Sequence, residues 1–419
     1  MDSAGPAPDI APDAVVSARD IHIPAKAPLG MLLLLGALTA FAPMSIDMYL
    51  SSIPVIARNF GVAPEAAQGT LAAFLAGLAI GQFFYGPASD RWGRRGPILF
   101  GVALYVAASV ACALAPSIAV LTVARFVQAL GGCAGPVIAR AVVRDRFGHR
   151  DSARVLSLLM LVMGLAPIIA PMLGSLMLTV TGWRAEFWVL TAFGALVLLG
   201  SVFGLEESRS AQTALAARSE HPIRTYLALL RQPRLVGFVL AGALNSASVF
   251  AYISASPGLL ITHYGVSPGM FGWVFGANAA AFIAMSQANR HLLRRRTPEQ
   301  VVALTRPVSV MFAGLLLLTA VTGLGGLWGI LIPLFFVMGS FGFIGPNTTA
   351  AGLNVDANRA GSISALMGGA QFGVGALASG LTTAMHDTGP TAMAVVILGC
   401  ILGSTAALYL LALPKRERV

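Results

Sequence analysis

The sequence predicts an all-α integral membrane protein with twelve transmembrane helices, arranged in two pseudo-symmetric six-helix halves. The composition is 57% hydrophobic and 11% charged, whereas soluble domains carry about 25% charged residues. Twelve apolar stretches approach the ~20 residues that cross a bilayer as a helix. Basic residues concentrate in alternate connections between these stretches. A soluble fold would leave too much apolar surface in contact with water.

The twelve stretches divide into two groups of six. The first half covers residues 29–205, a polar cytoplasmic linker covers 206–232, and the second half covers 233–413. Residues 1–28 are rich in Ala, Pro and Asp, so we expect a disordered tail and not a signal peptide. Residues 414–419 form a short second tail. The stretches are 29–52, 66–88, 97–114, 117–138, 153–177, 185–205, 233–257, 269–289, 301–323, 327–348, 361–383 and 390–413.

The distribution of basic residues predicts the orientation of the chain. If the N-terminus is cytoplasmic, 24 of the 27 Lys and Arg residues fall in cytoplasmic segments. Arg58 and Arg184 lie in outer connections, and Arg125 lies inside a span. Positive charge accumulates on the inner side of membrane proteins, so we expect both termini in the cytoplasm. The net charge of +10 therefore reflects loop bias and not a nucleic-acid partner.

The connection after the second stretch, within residues 86–101, is short and densely charged. Its glycines permit a tight turn and close helix contact, and its acid can pair with an arginine. An ordinary basic hairpin is the alternative interpretation. We expect this connection and the loop at 140–146 to pair and to take part in conformational gating. The residues concerned are Gly86, Asp90, Arg91, Gly93, Arg94, Arg95, Arg144 and Asp145.

Asp47 and Arg125 are the acid and the base that we place well inside the spans. Each costs at least ~2.5–3.5 kcal/mol near a helix centre, so both are candidates for function. Asp47 can bind and release a proton as its surroundings alternate between wet and dry, or it can cap a helix near the outer end of its span. Arg125 keeps its proton and has Gln128 one turn away, so a structural hydrogen-bond hub is its alternative role.

The fifth stretch combines Gly164, Pro167, Pro171 and Gly174. Prolines four residues apart kink a helix and free backbone carbonyls, while the glycines allow a partner helix to approach. A generic kinked helix is the simpler interpretation.

Polar and adaptable side chains in other spans are candidates for lining a substrate cavity. An isolated amide in a helical bundle more often joins two helices, and methionines more often serve ordinary packing. The candidates are Met44, Met48, Tyr49, Gln128, Asn245, Tyr252, Asn278, Asn347 and Gln371.

Catalytic and cofactor motifs are missing from the sequence. It has no G-x-x-x-x-G-K-[ST] motif for ATP, no metal-ligand spacing and no Ser/His/Asp set that can be placed. The three cysteines, at 112, 133 and 400, lie in apolar runs and are expected to pack as small core residues. We therefore expect neither an enzyme nor a bound metal or cofactor.

Four stretches resemble the major facilitator superfamily of transporters. The 86–95 segment matches its G-x-x-x-D-R-x-G-R-R loop. Arg125 opens a segment similar to its R-x-x-Q-G-x-G signature, with Ala129 in place of the first glycine. The kinked fifth stretch resembles its exporter signature, with Ala170 and Ser175 in place of glycines. The S-I-D-M-Y-L segment around Asp47 is similar to the bicyclomycin- and chloramphenicol-resistance subfamily of drug:proton antiporters.

This resemblance implies proton-coupled multidrug efflux across the bacterial cell inner membrane by alternating access, with a substrate cavity between the halves. It also implies that the proton gradient supplies the energy, that Asp47 carries the proton and that Arg125 favours its release. We expect a monomer whose partners are a small-molecule drug or metabolite, protons and the lipid bilayer. Three alternatives remain open: an exporter of an endogenous metabolite such as an amino acid, an uncoupled facilitator or importer, and a membrane sensor or scaffold.

Overall fold

The computed structural model describes residues 29–147, 149–210, 222–356, 359–385 and 389–413. The predicted tails lie outside these ranges, as does the middle of the linker. Within them the chain is helical and contains no strand, which confirms the all-α prediction.

Twelve long helical segments follow one another and are called spans 1 to 12 here. Three of them, spans 1, 7 and 12, include a short 3-10 or π turn, and span 4 consists of two helices. A further helix in the linker covers Pro222–Leu230. The spans are Leu29–Phe60, Pro64–Trp92, Arg95–Ala113, Ile118–Arg146, His149–Val180, Arg184–Gly204, Pro233–His263, Pro268–Leu292, Pro298–Thr322, Gly326–Leu353, Ala360–Ala384 and Pro390–Ala412.

Eleven of the twelve spans are long and apolar enough to cross a membrane, counted over the described residues. The remaining one, span 11, has 25 residues but many glycines, serines and threonines. It packs mainly against spans 2 and 7, so much of its surface contacts protein and not lipid. A helix covered in this way does not need the apolar composition of a lipid-facing one.

Two predicted loops are largely helical. Span 2 continues to Trp92 and span 3 begins at Arg95, so the connection within 86–101 shrinks to Gly93 and Arg94. Span 4 continues to Arg146, so the residues expected to form a loop at 140–146 extend a helix instead. Charged residues form helices readily, and hydropathy alone therefore ended these spans too early.

Span 1 is interrupted near its middle. Its first helix, Leu29–Asp47, ends at the acid, a 3-10 turn covers Leu50–Ser52, and a second helix covers Ile53–Phe60. A break of this kind frees backbone groups and lets neighbouring side chains leave the helix face. The interruption places Asp47 and Ser52 on either side of one short irregular segment.

Two pairs of helices join the halves: span 2 packs on span 11, and span 5 packs on span 8. Span 5 is helical through both of its prolines. Gly174 lets this span approach span 1, because a side chain there would overlap the backbone carbonyl of Met48. Gly272 of span 8 likewise lets span 8 approach span 5, because a Cβ at this position would lie 3.2 Å from Cα of Met172.

Candidate functional site

Asp47 lies at the boundary between the halves. It is 4% exposed and ends the first helix of span 1. Tyr252 of span 7 is close enough to interact with its carboxylate electrostatically. The Tyr252 hydroxyl in turn accepts a hydrogen bond of 2.9 Å from Nδ2 of Asn278 in span 8. The structure thus brings together three of the residues predicted from the sequence, one from the first half and two from the second.

The Tyr252 ring has a fixed position. It stacks on Phe275 of span 8 with ring centroids 5.5 Å apart and an angle of 14° between the planes. Both rings are buried. Stacking of this kind adds to the stabilisation that comes from burial. It holds the hydroxyl near Asp47 and leaves an aromatic wall beside the acid.

Arg125 is fully buried inside the first half. Its Cζ atom lies 4.2 Å from the centroid of the Phe74 ring and 4.6 Å from that of Tyr49. A guanidinium over aromatic faces gains roughly 2 kcal/mol or more when it is removed from water. Its Nη1 also donates to Oε1 of Gln128 at 2.8 Å. Tyr49 and Gln128, both cavity candidates, therefore contact the arginine.

Hydrogen bonds connect this arginine to span 1. Gln128 Nε2 donates to Ser109 Oγ at 2.8 Å, and Ser109 donates to the backbone oxygen of Tyr105 at 2.7 Å. The Tyr105 hydroxyl shares a hydrogen bond of 2.7 Å with Ser45. Ser45 lies two residues before Asp47. This network therefore connects Arg125 to span 1 at a position two residues before Asp47.

A second buried acid, Glu186, lies beside Arg125. It is 1% exposed, and its Oε1 accepts a hydrogen bond of 2.5 Å from Ser52 Oγ. It also interacts electrostatically with Arg125. The prediction that Asp47 is the one acid well inside the spans was wrong. Glu186 is the third residue of span 6, and its position two residues after Arg184 made it look like part of an interfacial turn.

A second buried base, Arg306, lies in span 9. It is 1% exposed, and its guanidinium donates to Asn245 Oδ1 at 3.3 Å and to Ser404 Oγ at 2.7 Å. Arg306 was counted among the cytoplasmic basic residues, although the predicted stretch 301–323 contains it, and its burial shows that this count was wrong. Span 9 begins at Pro298, after a capping box formed by Thr297 and Gln300, so Arg306 is the ninth residue of the helix. The T-x-x-Q capping signal that marks this start was available in the sequence.

The remaining cavity candidates are dispersed. Asn347 donates to Asn289 Oδ1 at 2.8 Å, which joins span 10 to span 8. Met48 is buried and Met44 is half-buried. Gln371 lies on span 11 beside Gly242 of span 7. Asn347 and Asn245 therefore act as contacts between helices, the alternative that was left open for isolated amides.

The predicted gating residues cluster at one end of the bundle. Arg94 is 3% exposed; its Nε contacts Asp145 Oδ2 at 2.7 Å and its Nη1 contacts Asp90 Oδ1 at 2.5 Å. The structure thus brings the two charged connections together. Arg144 is exposed to the surroundings. Gly86 faces Ala365 of span 11 in the other half.

The start of the linker holds this cluster in place. Glu207 accepts backbone N–H bonds from Arg94 at 2.9 Å and from Arg95 at 3.2 Å, and so caps span 3. Partial burial would raise the pKa of Glu207, but backbone N–H donors outweigh it and the pKa is lowered. Gly93 has φ +94°, and its missing side chain makes room for the Glu207 carboxylate. Arg209 Nη1 donates to the Arg91 carbonyl at 2.6 Å and caps span 2.

The charged cluster belongs to one half of the molecule. Its ion pairs link spans 2 and 3 to span 4, and Arg146 of span 4 to Glu206 of the linker. The other ion pairs in the described part of the chain, Arg234–Glu299 and Arg359–Asp356, lie in the second half. None of these pairs crosses between the halves. The cluster therefore stiffens the first half as a unit.

Comparison with known proteins identifies the family. Residues 35–380 match the Major Facilitator Superfamily. The chain is 33% identical over 392 residues to the uncharacterised MFS-type transporter YdgK of Bacillus subtilis, covering 92% of this chain and 96% of YdgK. It is 30% identical over 380 residues to a bicyclomycin resistance protein homolog of Haemophilus influenzae, covering 91% of this chain and 95% of that protein. It is 31% identical over 294 residues to the multidrug resistance protein MdtL of Escherichia coli, covering 70% and 74%.

Solved structures of similar fold are more distant in sequence. A peptide transporter POT in complex with sulfate superposes with a TM-score of 0.72 at 15% identity, over 93% of this chain and 96% of that one. A D-xylose–proton symporter superposes with a TM-score of 0.71 at 16% identity, over 91% and 96%. These two show the fold alone. Together with the sequence matches, they establish that the chain belongs to the Major Facilitator Superfamily and is a multi-pass membrane transporter, not an enzyme.

Proposed function

We propose that this transporter exports small drug molecules across the bacterial inner membrane in exchange for protons, by alternating access between its halves. Two relatives carry names that refer to bicyclomycin resistance and multidrug resistance. The basic residues of the connections support an orientation with both termini in the cytoplasm. The proton gradient is the energy source in this proposal, and a monomer is the working unit.

One observation carries the proposal: Asp47 is buried at the boundary of the halves, beside Tyr252 of the opposite half. A carboxyl at such a boundary meets the outer solution in one conformation and the cytoplasm in the other. It takes up a proton on the acidic side and releases it on the other side. A substrate that competes with the proton for this position is then moved in the opposite direction.

The surroundings of Asp47 suggest the chemistry of the substrate. A groove of about 420 Å³ extends from Asn278 to the lipid-facing surface between spans 8 and 10. Its walls include Trp273, Trp328 and Phe335. Drug-sized ligands occupy pockets of ~300–1,000 Å³ with mainly aromatic walls and few polar groups. These features favour an amphipathic drug that reaches Tyr252 and Asn278 along this apolar groove.

The driving force is adequate for export. Moving one proton charge across ~100 mV releases ~2.3 kcal/mol. Because every 1.4 kcal/mol corresponds to a factor of ten, one proton supports a drug gradient of several tens. A pH difference across the membrane adds to this ratio.

Inverted membrane vesicles with an acidic interior test the proposal. A pH-sensitive dye reports proton loss from the lumen while chloramphenicol-like, bicyclic peptide, sulfonamide and cationic compounds, and cysteine, are added in turn. We expect at least one drug to discharge the gradient in the wild type but not in Asp47→Asn. Glu299→Gln is the matched control, because it makes the same kind of change at an ion pair away from the site.

Other outcomes would replace the proposal. Drug flux that survives an uncoupler indicates a facilitator. Discharge by cysteine alone, together with cysteine accumulation in a knockout strain, indicates an exporter of a metabolite. A drug response that Asp47→Asn leaves unaltered removes this residue from the mechanism.

A further inference from the structure

Arg125 and Glu186 are oppositely charged groups that share one buried cluster without forming an ion pair. Both are buried, and they interact electrostatically. Among the described residues, however, the ion pairs closer than 4.0 Å do not include this one. Each group also keeps unused hydrogen-bonding atoms: Nε and Nη2 of Arg125 and Oε2 of Glu186 are buried without a partner.

Such an arrangement is costly if both groups are charged. A buried polar atom without a partner costs ~1–3 kcal/mol, and more when the group carries a charge. An ionised Glu186 would recover this cost by moving towards the guanidinium. A protonated Glu186 is neutral and needs no cation, and its Oε1 already accepts from Ser52. The geometry therefore fits a protonated Glu186 carboxyl that can form an ion pair with Arg125 once it ionises.

The cluster contains few other titratable groups. Tyr49 of span 1 and Tyr105 and Cys112 of span 3 face Arg125, and Ser52 of span 1 faces Glu186. Glu186 is the one acid among the described groups that interact with Arg125. Asp47 instead interacts with Tyr252, across the boundary of the halves. The two buried acids thus have separate surroundings.

We propose that Glu186 is a second proton-binding group of the transport cycle, with Arg125 as the partner of its ionised form. This inference rests on the proton-coupled transport proposed above. On losing its proton, Glu186 turns towards Arg125 and its bond from Ser52 is strained or lost. Ser52 belongs to the turn that follows Asp47 in span 1. A change in the protonation of Glu186 thereby alters the segment of span 1 that carries Asp47.

Infrared difference spectroscopy of the purified transporter, recorded across a pH titration, tests for this group. We expect the wild type to show two carboxylic acid C=O bands that disappear as the pH rises. Glu186→Gln should remove one band and Asp47→Asn the other. Arg125→Gln should shift the pH at which the Glu186 band disappears and leave the Asp47 band in place. Glu186→Gln keeps the shape of the side chain and an oxygen that accepts from Ser52, so it should fold.

The outcomes separate this inference from the proposed function. Drug-driven proton flux in the wild type, combined with a Glu186→Gln spectrum identical to the wild type at every pH, overturns the role of Glu186 alone. Absence of drug-driven proton flux in the wild type overturns the proposed function. A Glu186 band that does not shift in Arg125→Gln shows that the arginine is not its partner and also contradicts the inference. Ser52→Ala provides a second variant, in which the Glu186 band should change frequency because its hydrogen bond is lost.

Discussion

Asp47 and Tyr252 interact across the boundary between the two halves of the transporter. The first belongs to span 1 and the second to span 7, and Asn278 of span 8 donates to the same tyrosine hydroxyl. A conformational change that rocks one half on the other must alter this relationship. The environment of the acid is therefore coupled to the conformation of the whole molecule.

Tyr252→Phe tests the tyrosine hydroxyl beside Asp47. The variant keeps the ring stacked on Phe275 but removes the acceptor of the 2.9 Å bond from Asn278. The Asn278 amide then retains a 3.4 Å contact with Val274. Leaving the buried Asn278 amide without this acceptor costs ~1–3 kcal/mol of folding stability, so we expect a lower unfolding temperature for the purified variant. Tyr264→Phe, which removes a longer and exposed 3.5 Å bond, should unfold at the wild-type temperature.

Arg125→Lys tests the buried cation. Lysine keeps the charge but loses the planar contact with Phe74 and Tyr49 and the fork that reaches Gln128. Cation–π contacts of a desolvated arginine contribute ~2 kcal/mol to the folded state, so we expect a lower unfolding temperature. We also expect drug-driven proton flux below the wild-type level, because the lysine ammonium no longer occupies the position of the guanidinium. Arg306→Lys is the matched control at another fully buried arginine and should keep the wild-type flux. Equal losses in both variants would indicate a general effect of buried arginines.

Gly174→Ala tests the close contact between spans 5 and 1. The added methyl group would overlap the Met48 carbonyl, so the helices must separate. Overpacking typically costs ~1–3 kcal/mol, and we expect a lower unfolding temperature together with impaired transport. Gly276→Ala adds the same methyl group at the interface of spans 5 and 8, where the nearest atom lies 3.7 Å away. Its unfolding temperature should match that of the wild type.

Glu207 predicts an acid-dependent stability. Partial burial opposes its ionisation, but the backbone N–H groups of Arg94, Arg95, Ser208 and Arg209 outweigh this and lower its pKa in the folded protein. The ionised Glu207 carboxylate therefore stabilises the fold at pH values above its ordinary pKa of 4.5. This stabilisation is lost as the pH falls through the lowered pKa of the folded protein. Glu207→Gln should therefore cost about 1 kcal/mol at pH 7, as the loss of a helix cap does.

The measurement for Glu207 is the unfolding temperature of the wild type and the variant at neutral and acidic pH. The difference between them should shrink as the pH falls below 4.5. Glu206→Gln is the control, because its carboxylate is 83% exposed and forms a surface ion pair of small value. A difference that stays constant with pH would contradict the capping role of the carboxylate.

The sequence predicted most of the fold because hydropathy and charge bias distinguish segments that lie in the membrane from segments that lie in water. It also predicted that Asp47 and Arg125 lie inside the spans, and that the two charged connections pair, as Arg94 and Asp145 do. Glu186 escaped because it is the third residue of span 6, where hydropathy cannot separate a buried charge from a solvated one, and Arg306 escaped because it was counted with the basic residues of the preceding connection. Their burial depends on neighbouring helices, Ser52 in one case and Ser404 in the other. The proximity of Tyr252 to Asp47 depends on the packing of the two halves, which no local pattern encodes.

The central claim is that Asp47 carries the transported proton. The test uses purified transporter in liposomes and a drug identified in the vesicle assay. Drug movement is measured with and without an imposed pH gradient. We expect Asp47→Asn to move the drug down its own gradient but to lose accumulation against that gradient when pH is the driving force. Glu299→Gln should accumulate the drug as the wild type does. Uphill accumulation by Asp47→Asn at the wild-type level would contradict the account.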